Sequence, residues 1–183
     1  VLIMIPGLAL SYGGMVRAKN MVNTLWLSFI VMCIVSVQWV LWGYSLSFAP
    51  GCWFIGGLQW CGLGAGAVGQ APSDLYATTI PHLTFMIFQC MFAIITPALM
   101  TGTFAERFKF NAWLLLVLLW TGAVYAPVAH WVWATDGWLF KLGALDFAGG
   151  TVVHICSGAS GADLMMVVGK RKGFPKEIMP PHN

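Results

Sequence analysis

A chain of 183 residues that is 59% hydrophobic and 8% charged, with a mean hydropathy of +0.80, cannot cover a water-facing surface; soluble domains carry roughly a quarter charged residues. The net charge of +3 comes from basic residues at the ends of apolar runs rather than from a patch, so no nucleic-acid partner is implied. The apolar runs are continuous and lack the two-residue alternation of barrel strands, so the fold class is an all-α polytopic membrane protein.

A bilayer span needs about 20 mostly apolar residues. Five segments qualify, the first only in part. Val1 to about Met15 is the tail of a span, ended by Arg17, Lys19 and Asn20. No basic stretch with a cleavage site precedes it, so no signal peptide is read, and the chain reads as part of a longer one. The second span covers about Thr24 to Phe48, and a glycine-rich loop follows from Ala49 to about Thr79. The third covers Ile80 to Phe104, with a kink expected at Pro97, and Glu106, Arg107 and Lys109 follow. The fourth covers Ala112 to Trp133. A loop with Asp136 and Lys141 leads to the fifth, Phe147 to Val168.

Alternating spans place eight of the nine basic residues on one side, with only Lys141 opposite. The positive-inside rule then puts the front end outside and Lys170, Arg171 and Lys172 in the cytoplasm. Tryptophans 39, 42, 53, 60, 131, 133 and 138 gather on the outer side, as an aromatic belt would. Five cysteines form no metal-type pair. Cys33, Cys90 and Cys156 read as apolar fillers of helices, while Cys52 and Cys61 share a loop in which they could bridge. No cofactor is implied.

The residues that could carry chemistry gather in the last span. His154 is an ionisable ring inside an apolar helix, by default a functional-site hypothesis. A neutral imidazole, with one donor and one acceptor nitrogen, can pass a proton or hold a small polar molecule. Asp146 lies eight residues earlier, about 12 Å along a helix, and reads first as a helix cap and second as a lure for a cation. Ser157/Gly161 and Gly158/Ala162 have the small-xxx-small spacing of close helix packing. Asp163 is a second acid in this helix, without an assigned partner. In the third span Phe85, Phe88 and Phe92 recur on one helical face. Such rings can be ordinary packing, a hydrophobic constriction or a cation-attracting wall, and Trp133 could complete it. Neither HExxH nor GxSxG accompanies Asp146 and His154, so the chain does not read as an enzyme.

The strings PGLALSYGGMVRAKN, FQCMFA, TGTFAERFKF, LDFAGGTVVHICSGASGADLMMVVGKR and KEIMPPHN resemble the ammonium transporter (Amt/Mep) family along the whole chain, residues 1–183. The resemblance implies an eleven-helix fold of two inverted halves, with this chain as the first, assembled as a homotrimer in the plasma membrane. It implies passage of ammonium or methylammonium, with NH4+ recruited at an outer aromatic site and NH3 and a proton crossing a histidine-lined pore. By motif, Phe92 is similar to the family's gate, Phe88 to an aromatic near the outer site, Trp133 to the stacking tryptophan, Asp146 to the essential aspartate and His154 to the first pore histidine. Asp163 departs from the family's pattern, which has an apolar or small residue there. The resemblance also implies a cytoplasmic PII-type regulator as a partner. The alternatives are an ammonium sensor coupled to signalling and an Rh-type ammonia/CO2 channel. Trp133 and the Asp146–Gly150 string favour the Amt branch.

Overall fold

The computed structural model describes residues 1–183. Helix α1 (Met4–Met15) turns through Ala18–Asn20 into α2 (Met21–Gln38), which continues through a π turn (Trp39–Gly43) into α3 (Tyr44–Phe48). After a long loop come β1 (Pro72–Ser73), β2 (Ala77–Pro81) and α4 (His82–Met100). Helix α5 (Phe110–Trp120) runs through a second π turn (Thr121–Tyr125) into α6 (Ala126–Trp133), followed by the short α7 (Trp138–Lys141). A third π turn (Gly150–Ile155) opens α8 (Cys156–Val168).

Four helical runs, Ala18–Phe48, His82–Met100, Phe110–Lys141 and Gly150–Val168, are long and apolar enough to cross a bilayer. Helix α1, at 12 residues, is not, so the structure has four such runs where the sequence predicts five spans with the first partial. The third run ends at Met100 rather than Phe104, because residues 101–107 turn around Glu106. It continues as helix through Pro97. The loop predicted over Ala49 to Thr79 ends in the two-stranded hairpin of β1 and β2.

Helix α2 is the central post, packing on α1, α4 and α5, while α4 also carries α8. Interior polar groups tie the helices to one another, because in lipid they have no water to turn to. The Gln38 amide donates to the Leu118 carbonyl (3.0 Å) beside the second π turn and accepts from Thr121 Oγ1. The fully buried Trp113 donates its indole N–H to the Leu27 carbonyl at 2.8 Å. Trp39, read from sequence as a belt residue, is 2% exposed and donates to the Met86 carbonyl; Trp53 and Trp138 are exposed as a belt would be. Only Cys90 and Cys156 among the helical cysteines are buried, and Cys33 is exposed. Cys52 and Cys61 are both free thiols rather than a bridge.

The two small-residue pairs of the last span separate. Ser157 and Gly161 are buried, and a Cβ on Gly161 would sit 2.7 Å from Thr103 Cγ2. Gly158 and Ala162 are on the open face, where a Cβ on Gly158 meets nothing within 4 Å.

Charge closes the end of the molecule opposite the hairpin. Glu106 has a carboxylate only 1% exposed. It accepts hydrogen bonds from the Arg17 backbone N–H (3.0 Å), Arg17 Nε (3.1 Å) and Asn20 Nδ2 (2.8 Å), with Arg171 at 3.8 Å. Arg17 and Arg171 therefore meet at one end, as alternating spans require. Burial alone would push the Glu106 carboxyl up, but the hydrogen bonds from Arg17 and Asn20 and the charge of Arg17 outweigh it and hold it at about 2.

Gly161→Val is expected to destabilise the fold by about 1–3 kcal/mol through overpacking against Thr103, read from thermal unfolding in detergent. Glu106→Gln costs about 3 kcal/mol, the scale for removing one partner of a buried pair. Because the native carboxyl titrates below its ordinary value of 4.5, its stabilisation is complete above that value and is lost as pH falls toward 2. An acid-unfolding profile that is the same in the wild type and Glu106→Gln contradicts this.

Candidate functional site

At the hairpin end, α4, α6 and the segment before α8 enclose a cavity of about 330 Å³. Helix α4 projects Phe85, Phe88 and Phe92 into it at spacings of three and four. Phe85 stacks on Tyr76 (centroids 5.4 Å apart) and meets Phe48 edge-on (5.6 Å). Phe88 meets Phe92 edge-on at 5.1 Å, and Phe92 meets Trp133 at 5.6 Å. The predicted aromatic face is therefore one wall, and Trp133 joins it from α6. Burial pushes the Tyr76 hydroxyl up to about 12, so it stays a neutral donor and gives its hydrogen to the Phe48 carbonyl at 2.6 Å.

Asp146 links this wall to the last span. Its Oδ2 accepts from the backbone N–H groups of Thr151 (2.8 Å) and Val152 (3.0 Å), which open the π turn and have no partner within it. The cap reading is therefore correct in its chemistry, with the carboxylate reaching over from four residues before Gly150. The reach is possible because Gly149 has φ +85, a conformation glycine adopts without strain, and a Cβ there would lie 2.6 Å from Val153 Cγ2. The Asp146 backbone carbonyl accepts the Trp133 indole N–H at 2.8 Å, so one residue orients both the helix start and the indole.

Two acceptors on this cavity have no donor. Asp146 Oδ1 and Gln89 Oε1 are both buried and unpaired. Native structures seldom leave such atoms unsatisfied, and each calls for an explanation.

A second cavity, about 370 Å³, lies between α1, α4 and the start of α8. It is lined by Leu8, Ser11, Phe92, Ile95, Leu99 and His154 among others, and its walls are mostly apolar. Phe92 is common to both cavities and stands between them. His154 is exposed in this chain rather than buried, in the π turn that leads into α8, beside Ile155, which is 65% exposed. Its backbone N–H bonds to the Gly149 carbonyl five residues back, so the π turn sets its angular position on the helix. Asp163 is exposed on α8 and forms no ion pair.

The structure thus brings Phe88, Phe92, Trp133 and Asp146 to one cavity and His154 to the next. Sequence reasoning gave Gln89, Tyr76 and His130 no role. The signal for Gln89 was its place between Phe88 and Phe92 in a run otherwise free of hydrogen-bonding side chains.

This fold and site define a multi-pass helical membrane protein with an aromatic recess leading to a histidine-lined apolar cavity. The pattern of the Ammonium Transporter Family matches residues 1–183, and the chain belongs to that family. It is 55% identical over its whole length to an ammonium transporter of Bacillus subtilis, of which it spans 44%, and 46% identical to the ammonium transporter Amt1 of Archaeoglobus fulgidus, of which it also spans 44%. Its fold is similar to the crystal structure of Candida albicans Mep2, with a TM-score of 0.86 and 39% identity over 99% of this chain and 40% of that one. The chain thus spans less than half the length of these relatives.

Asp146 separates capping from charge in a testable way. Asp146→Ala frees two backbone N–H groups and costs about 1 kcal/mol of stability. Asp146→Asn keeps an acceptor and costs less than half of that. Equal thermal shifts in the two variants contradict the cap.

Proposed function

We propose that this chain supplies the first half of an ammonium-conducting pore, and that the aromatic cavity is where the ion is taken up. The observation that carries this is the pair of unpaired buried acceptors, Asp146 Oδ1 and Gln89 Oε1, on two residues that line a recess walled by Phe88, Phe92 and Trp133. Aromatic faces attract any small cation. Unpaired acceptors add a preference for a cation that carries N–H donors, and ammonium has four in a tetrahedral array. The carboxylate adds charge complementarity at the mouth.

The second stage must be different, because a bare cation inside an apolar cavity is costly. Phe92 is the shared wall between recess and cavity, which suits a gate. Past it, His154 is the ionisable side chain on the apolar lining. An imidazole there can hold or relay a proton while NH3 crosses. The open face of α8 then awaits a matching half of inverted topology, in an eleven-helix fold with the site between the repeats. The same reading places the aromatic end outside, the basic end in the cytoplasm, and the protein as a homotrimer open to a PII-type cytoplasmic regulator. Relatives named ammonium transporters support this reading.

Methylammonium uptake by the full-length protein tests the division of labour. Gln89→Leu removes one charge-assisted hydrogen bond, worth about 1.5–3 kcal/mol, and raises the half-saturating concentration roughly tenfold or more. His154→Ala changes the maximal rate at unchanged half-saturation. Wild-type kinetics in both variants sink the proposal.

A further inference from the structure

A second histidine lies near the aromatic recess without lining it. His130, on α6, is fully buried. Its Nδ1 is 3.0 Å from the carbonyl oxygen of Ser47, and its Nε2 is 2.8 Å from that of Cys52. Both partners are backbone carbonyls, which only accept. A neutral imidazole has one N–H and one lone pair, so it satisfies one carbonyl and sets its lone pair against the other. The imidazolium donates to both.

The counter-charge is in place. Asp136 Oδ1 lies 3.8 Å from His130 Nε2, and it is buried with no hydrogen-bond donor of its own. The other oxygen, Oδ2, accepts the Gly51 backbone N–H at 2.7 Å. No lysine or arginine pairs with Asp136. A carboxylate with one buried, unpaired oxygen is unfavourable unless a charge of opposite sign stands beside it. The other titratable groups nearby turn elsewhere: the Cys52 thiol toward the Ile55 carbonyl and the Tyr76 hydroxyl toward the Phe48 carbonyl.

We infer that His130 is held as the doubly protonated imidazolium, ion-paired to Asp136, and that it is a positioning residue fastening the backbone of residues 47–54 to the end of α6. Around this pair the end of α6 grips the loop four times: two ring N–H bonds, the Asp136–Gly51 bond, and the Trp131 indole N–H on the Phe54 carbonyl at 2.7 Å. Space enforces the arrangement, because a Cβ on Gly137 would lie 2.0 Å from the His130 carbonyl oxygen. What the clamp positions is the recess. Phe48, next to Ser47, and Thr135, next to Asp136, both line it, and Trp133 lies one helical turn beyond His130. The inference rests on hydrogen-bond geometry and stands whatever ion the recess takes up.

The test is nitrogen-15 NMR of the histidine rings in the full-length protein, in lipid bilayers at neutral pH, with His130 assigned through its own backbone. Both ring nitrogens are expected to carry hydrogen. In Asp136→Asn, which keeps an acceptor for Gly51 but removes the charge, one of them is expected to lose it. A bare ring nitrogen in the unmutated protein, or a ring unchanged by Asp136→Asn, overturns the inferred charge state. The positioning role is read from backbone amide exchange over residues 51–54. It is expected to speed up roughly tenfold in Asp136→Asn, the scale of one lost charge-assisted hydrogen bond, and further in His130→Leu. If His130→Leu does not fold, Asp136→Asn alone decides, and unchanged exchange in it overturns the positioning role.

Discussion

The aromatic end of this molecule depends on how Asp146 divides its oxygens. One carboxylate oxygen satisfies two N–H groups at the start of the last span. The backbone carbonyl holds the Trp133 indole. The remaining carboxylate oxygen is buried and unpaired, on a residue that lines the recess. Removing the side chain would loosen the helix start and leave the recess without its negative charge, so the structural and electrostatic roles of this residue share the same atoms.

The same economy runs through the membrane-embedded part. Water is absent there, so each polar group must find a partner in the protein. Indole N–H groups of Trp39 and Trp113 take backbone carbonyls on neighbouring helices, and Gln38 takes one beside a π turn. The three π turns lie in three different spans, and each begins or ends near a glycine or a large aromatic: Gly43, Tyr125 and Gly150. An extra residue in one turn rotates the remainder of the helix about its axis, which is one way a helix can aim a side chain such as His154 without breaking.

Much of this was legible in the sequence, and the reasons are physical. Continuous apolar runs and their basic flanks reported the spans, because a bilayer imposes length and polarity directly. The clustering of Phe88, Phe92, Trp133 and Asp146 was accessible from helical spacing together with family resemblance. The exact span limits were not, because Glu106 draws the chain into a turn before Phe104 through contacts with Arg17, 89 residues away. Trp39 misled, since an indole suits a membrane interface and a buried helix contact equally well. His130 went unnoticed because its partners are backbone carbonyls of Ser47 and Cys52, which no residue pattern records. The hairpin at β1 and β2 was hidden by its shortness, with two residues in its first strand.

We propose that the recess prefers a cation with hydrogens to give, and not merely a small cation. Ammonium and potassium ions are nearly the same size and carry the same charge, so aromatic faces and a carboxylate alone distinguish them little. Competition between the two for the recess of the full-length protein, followed by the fluorescence of Trp133, tests the claim most directly. Ammonium is expected to displace potassium at equal concentration, and Gln89→Leu to narrow the difference. Equal occupancy by the two ions in the unmutated protein would contradict it.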